Sequence, residues 1–166
     1  MPVPTWDVFI GLAFAIGIAY GLILRREKTI TFLCSTYVAI VVASNFSGYI
    51  FDFFNGNRVV ADQIWIRSNA SLSTVTIITF LITSFFISGT INSQSSKSGD
   101  FSFLEVAVYS ALNMALIITS VLGFLPEEAR ANYIDVSRFA SFLYSYKTLW
   151  VMLPPIALIV LNFRRK

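Results

Sequence analysis

The side chains able to do chemistry in this chain are few and of restricted type: nine Asp and Glu, twelve Lys and Arg, one Cys and no His. Without His there is no Ser–His or Cys–His nucleophile pair and no imidazole zinc site. Cys34 alone can form neither an intrachain disulfide nor a thiolate cluster. No glycine-rich phosphate loop occurs, and no two acids stand at helical spacing within one apolar run, so paired-carboxylate acid–base chemistry has no obvious seat. No catalytic residue, metal ligand set or cofactor is therefore expected, and the chain reads as a non-enzyme.

Ionisable and amide groups close to apolar runs are the remaining candidates, because such groups are costly at membrane depth and are kept there for a reason. Asp7 stands at the start of the first apolar run, where a carboxylate suits a helix N-terminus and reads as a cap. Asp52 lies among aromatics at the end of the second. Glu105 completes Ser102-Phe-Leu-Glu105, which has capping-box spacing. Asn45 and Asn113 fall nearest mid-run. With Asp52 they are the candidate polar path of a small transporter or channel subunit, while the plainer reading of the two amides is hydrogen bonding between helices. Asn45-Phe-Ser47 and Asn69-Ala-Ser71 match the glycosylation pattern, which recurs often by chance.

The elements that must position these groups are apolar helices. Of 166 residues, 56% are hydrophobic and 13% charged, a balance that leaves more apolar surface than a water-soluble fold can hide. The pattern predicts one all-α domain, a polytopic transmembrane helical bundle of about five spans over 7–24, 29–51, 72–91, 102–125 and 146–163. The aromatic end Tyr49-Ile-Phe-Asp-Phe-Phe54 of the second run is placed in the interface. Residues 59–66 form a candidate amphipathic segment anchored by Trp65. Residues 127–145 are expected as one interfacial helix, with Ala129, Tyr133, Val136, Ala140 and Leu143 on its apolar face and Pro126 in its first turn. Pro154-Pro155 sets an alternative of four spans plus a kinked or re-entrant C-terminal segment.

Small residues recur every fourth position: Ala13, Gly17 and Gly21 in the first run, Ser35, Ala39 and Ala43 in the second, Ala107, Ala111 and Ala115 in the fourth. In lipid, helices associate by close backbone approach, so these positions are expected to pack helix on helix. The Gly17 and Gly21 face is the one that could pair copies of the chain.

Five crossings place Arg25, Arg26, Lys28, Lys97, Arg164, Arg165 and Lys166, seven of the twelve basic residues, on one side of the bilayer. The rule that basic residues stay cytoplasmic then sets the N-terminus outside and the C-terminus in the cytoplasm. The opening tail has no Lys or Arg before the first apolar run, so that run is expected to remain as a span, not a cleaved signal. Basic residues beside span ends do not make a nucleic-acid face. The expected partners are the lipid bilayer and other membrane proteins, or a second copy of the chain.

The early acid Asp7, the run Gly21-Leu-Ile-Leu-Arg-Arg-Glu27 closing the first span and Tyr37-Val-Ala-Ile-Val-Val-Ala43 in a second span that follows almost without a loop resemble the colicin V production protein family of small bacterial inner-membrane proteins. Departures are Tyr20-Gly21 where that family has an Arg-Gly pair, and Ala107, Ala111 and Ala115 where it carries glycines. The resemblance implies a multi-pass protein of a bacterial-type cytoplasmic membrane, supporting envelope assembly, secretion or toxin production through contacts with other membrane proteins. A membrane anchor is a further reading, with 126–147 or the loop 93–100 recruiting a soluble partner.

Overall fold

A computed structural model describes residues 6–54, 70–91 and 103–163; the segments 59–66 and 93–100 and the residue Ser102 lie outside them. The described chain is all-helical. Helix α1 covers Trp6–Phe54, α2 Leu72–Thr90, α3 Phe103–Phe124, α4 Glu127–Val136, α5 Arg138–Ser145 and α6 Lys147–Phe163. Four stretches are long and apolar enough to cross a membrane: Trp6–Leu24, Arg26–Phe54, α2 and α3. These are the expected first four spans to within three residues at each end.

The first two spans are arms of one helix. Helical backbone runs through the charged stretch around Arg26 without an intervening loop residue, yet the helix doubles back there. Thr29 Oγ1 donates to the Gly21 carbonyl at 3.1 Å, across eight residues that a straight helix would separate by about 12 Å. The rings of Tyr20 and Phe32, twelve residues apart, stand 6.5 Å from each other. The first arm runs antiparallel to α3, with Gly17 at Met114 and Gly21 at Ser110. The second arm runs parallel to α3, with Leu33 beside Tyr109 and Thr36 at Asn113. Helix α2 lies antiparallel on the second arm, seating Phe80 between Ala39 and Ala43. Helix α3 is thus central, and it is the most buried of the four spans.

This bundle carries small polar side chains among its buried apolar ones and turns large apolar side chains outward, as lipid allows. Ser35, Thr36, Ser47, Thr76, Ser84, Ser110, Asn113 and Thr119 are buried, whereas Ile16, Ile23, Val41, Phe86 and many other large apolar residues face outward. Most buried hydroxyls donate to the carbonyl one turn back in their own helix, as in Ser35 to Thr31, Thr36 to Phe32, Ser110 to Val106 and Thr119 to Ala115. That bond removes the cost of carrying a hydroxyl away from water.

The C-terminal third departs from expectation. Residues 127–145 form two helices, because Ser137 breaks the pattern. Its hydroxyl accepts from Ala140 N–H at 3.0 Å, capping α5, and donates to Asp7 Oδ1 at 2.5 Å. Asp7 also accepts from Phe139 N–H at 3.2 Å, so this carboxylate caps α5, 130 residues away, in addition to standing in the first turn of its own helix. On the expected apolar face only Ala140 and Leu143 are buried, and Val136 is outward. Pro126 is the N-cap of α4, one position before its first turn.

Helix α6 passes through Pro154 and Pro155 without breaking. A proline at 155 removes the N–H that would bond the Val151 carbonyl, and Tyr37 of the second arm replaces it, donating its phenolic hydrogen to Val151 O at 2.6 Å. The sharp change of direction falls instead at Tyr146, where α5 and α6 are bent by 67°. Ala157 and Leu158 reach the Leu33 and Tyr109 cluster, so α6 travels from the Trp6 side towards the elbow side and does not turn back. Its 17 residues span about 25 Å, slightly less than a hydrocarbon core of about 30 Å. The fifth crossing meets the length requirement only with α5 included.

The Tyr37 bond predicts a specific coupling. Tyr37→Phe should destabilise the protein by about 1–3 kcal/mol, the cost of a carbonyl left unbonded where lipid, not water, surrounds it, whereas the same change on a Pro155→Ala background should cost much less, because residue 155 then supplies its own N–H. Equilibrium unfolding of the four proteins of this cycle in mixed micelles would read the coupling, and equal costs in both backgrounds would refute it.

Candidate functional site

The arrangement of α3 fixes where a site can be. Both arms of α1 pack on α3 while α2 packs mainly on the second arm, so a gap remains between the first arm and α2. It forms a cleft of about 480 Å³ whose walls are almost wholly apolar, within the roughly 300–1,000 Å³ of small-molecule pockets. Ile16 and Tyr20 on the first arm and Phe85 on α2 line it and are exposed at the bundle surface. The cleft therefore opens sideways, onto the surface that lipid chains cover.

Its floor carries Thr29, Ser84, Ser110 and Asn113. Thr29 and Ser110 spend their hydroxyls on the Gly21 and Val106 carbonyls. Ser84 Oγ lies 3.4 Å from Thr36 Oγ1, which stands 2.9 Å from both the Phe32 carbonyl and Asn113 Oδ1. The single Thr36 proton serves one of these acceptors at a time. This cluster ties the second arm, α2 and α3 together midway along α3. Towards the elbow an arc of rings closes the cleft: Tyr20 meets Phe32 at 6.5 Å between centroids, and Phe32 meets Phe85 at 5.5 Å. Beyond the arc, Arg26 Nε pairs with Glu105 Oε2 at 3.1 Å, so Glu105 braces the elbow against the start of α3.

A smaller cavity of about 280 Å³ lies at the other end of the first arm, between Trp6, Ile10, Leu122, Tyr133 and Ser137. Around it the aromatic residues of α4 and α5 gather, with Arg130 and Lys147 at 5.1 and 5.0 Å from the Tyr144 ring centre. This is the composition of a headgroup-level belt.

The polar path expected from Asn45, Asp52 and Asn113 is not assembled. Asn113 is buried, but Asn45 and Asp52 are exposed on the second arm, and Asn45 Nδ2 turns back to its own helix, donating to the Val41 carbonyl at 2.7 Å. Cys34 is also exposed. Among the small-residue positions, Ala39 and Ala43 pack with Phe80 of α2, and Ala115 joins the cluster around Ile10. Gly21, Ser35, Ala39, Ala43 and Ala115 are buried, and Ala13, Gly17, Ala107 and Ala111 are half-buried. The Gly17 and Gly21 face is filled by Met114 and Ser110 of α3 and so is used within the chain. What the sequence did not reveal is the cleft itself, which is a gap between helices and has no residue pattern of its own.

The fold thus defines an all-helical, membrane-embedded bundle of four bilayer-length helices and a shorter, bent fifth. No protein-family model matches the chain, and neither does any curated protein or solved structure.

The close approach at Gly21 generates a test. A Cβ there would overlap Ser110 Oγ, whereas one on Gly48 would meet open space. Gly21→Ala should lower the thermal midpoint by an amount equivalent to about 1–3 kcal/mol of overpacking, and Gly48→Ala should leave it unchanged or raise it slightly through better helix propensity. Equal midpoints for the two variants would contradict the packing described.

Proposed function

We propose that this chain is a non-enzymatic integral membrane protein that receives a hydrophobic guest from the lipid phase through its lateral cleft and holds it against α3, acting with other membrane proteins in envelope assembly or secretion. The observation that carries the reading is the sideways opening between Ile16, Tyr20 and Phe85 onto a polar-floored cavity at mid-helix depth. A through-path for a solute gains no support, since Asn45 and Asp52 face away from Asn113. The likeness of Asp7, Gly21–Glu27 and Tyr37–Ala43 to the colicin V production family supports the envelope role, and a bacterial-type cytoplasmic membrane is the setting proposed with it. The elbow side, with Arg25, Arg26 and Lys28, is taken as cytoplasmic on the positive-inside rule.

Two measurements test this. Reconstituted in phosphatidylcholine vesicles with a photoactivatable fatty acid, the protein should be labelled on Ile16, Tyr20 or Phe85 in preference to Ile23 and Phe86, which are outward but away from the cleft; even labelling of all five would refute guest binding. For orientation, single cysteines on a Cys34→Ala background should react with an impermeant thiol reagent from outside at Asn69 and Asn132 and only from inside at Ser96 and Lys166. Outside labelling at Lys166 would mean that α6 does not complete the crossing.

A further inference from the structure

The first arm spends its Gly17 and Gly21 face on α3, but the second arm leaves one face uncovered. Cys34, Val38, Val41, Asn45 and Gly48 are all exposed, and they recur at steps of four and three residues, the spacing that keeps one seam of a helix against a parallel partner helix. The seam lies opposite the side on which Leu33, Thr36, Ala39, Ala43 and Ser47 are buried within the chain. A Cβ on Gly48 would meet nothing within 4 Å, so a neighbouring backbone has room to come close there.

Lipid alone does not account for an amide in this seam. Thr36 bonds Asn113, which stands midway along α3, and Asn45 follows nine residues later, about 13 Å along a helix and inside the roughly 15 Å half-thickness of the hydrocarbon. Its one hydrogen bond among the described residues is the donation of Nδ2 to the Val41 carbonyl at 2.7 Å. That carbonyl lies towards the membrane centre, so the side chain bends away from the water beyond the end of the arm. Oδ1 and the second amide hydrogen are left to a neighbour, and hydrocarbon offers neither donor nor acceptor.

The identity of the neighbour follows from orientation and from the amide itself. Insertion gives every copy of a membrane protein the same orientation, so a two-fold pair about the membrane normal sets the second arm parallel to its copy, with Asn45 opposite Asn45 at one depth. A carboxamide both donates and accepts, and is therefore complementary to itself. A single Asn in an otherwise uncharged seam is also the device that fixes register and a two-stranded state in parallel helix pairs. Asp52 continues the spacing, but it lies sixteen residues past Thr36, about 24 Å along a helix and beyond the hydrocarbon, where water hydrates a carboxylate. We infer that the chain pairs with a second copy of itself through the second arm, Asn45 hydrogen-bonding to Asn45 across the two-fold axis and Cys34 facing Cys34 closer to the elbow. None of the seam residues lines the cleft, so pairing and guest binding stand or fall separately.

The one native cysteine reports the pairing without any substitution. In phosphatidylcholine vesicles at large lipid excess, molecular iodine, which enters lipid and takes two electrons from two thiols with release of two protons and two iodide ions, should join the full-length chains through Cys34 into a disulfide-linked dimer. Cys34→Ala proteins carrying Ile23→Cys or Phe86→Cys, both at exposed residues outside the seam, should stay largely unlinked. Asn45→Leu should lower the association constant by about three- to twentyfold, the change expected for hydrogen bonding between helices in lipid. Asn45→Gln keeps the amide and should retain most of the pairing. Because Asn45 is exposed in the single chain, neither variant should change the helical circular dichroism. Linkage through Cys34 no greater than at the two control positions, or undiminished in Asn45→Leu, would overturn self-pairing. So would a purified chain that stays single while Cys34 links to a different protein in native membranes, which would assign the seam to that protein.

Discussion

Everything in this bundle depends on how closely the first arm can lie on α3. Gly21 has no side chain, so its backbone comes down onto Ser110, and the carbonyl it exposes there is taken by Thr29 from the far side of the elbow. One residue therefore meets three conditions: close contact with α3, a bonded carbonyl in a region without water, and a helix able to double back within a few residues. Lipid supplies no hydrophobic drive between helices, so such contacts, and not the burial of large side chains, set the architecture. With Gly21 fixed, the second arm must emerge parallel to α3, Thr36 arrives at Asn113, and α2 follows on the outer side of the second arm. The cleft is what remains.

Most of this was legible in the sequence at the level of spans and much less at the level of contacts. Apolar length identified four spans to within a few residues, because crossing hydrocarbon imposes a length that no partner has to confirm. The fourfold spacing of Ser35, Ala39 and Ala43 identified a packing face, since only small residues admit a ring such as Phe80. The failures share a cause. Depth along a helix puts Asn45 and Asp52 on the candidate path, but whether a polar group faces a neighbour or the outside depends on rotation about the helix axis, which the neighbours decide. The stripe from Ala129 to Leu143 looked continuous because Ser137 is unremarkable in a helical pattern until Asp7 offers it a partner far along the chain.

The paired prolines of α6 show the same dependence on distant residues. From local chemistry a Pro-Pro step in a short apolar run implies a kink or a failed crossing, since a freed carbonyl in lipid has no water to turn to. The phenolic hydroxyl of Tyr37 answers the Val151 carbonyl from another helix, so the helix continues and the bend moves to Tyr146, among the headgroup-level aromatics, where water is at hand for loosened backbone. A tyrosine in the middle of an apolar span is therefore a repair for a proline more than a hundred residues later.

The cleft also follows from the solvent. In water, a gap of this kind between two helices would close or fill, because every exposed apolar wall adds to the cost of leaving it open. In a bilayer the same gap is covered by lipid chains at little cost, so a sideways opening can persist without a structural penalty and is by itself weak evidence of use. What separates this cleft from an incidental groove is its floor. Thr29, Ser84, Ser110 and Asn113 stand there at the depth of the middle and elbow end of α3, so the cavity sets small polar groups against an otherwise apolar interior, and that contrast is what a groove formed only by lipid-covered apolar walls lacks.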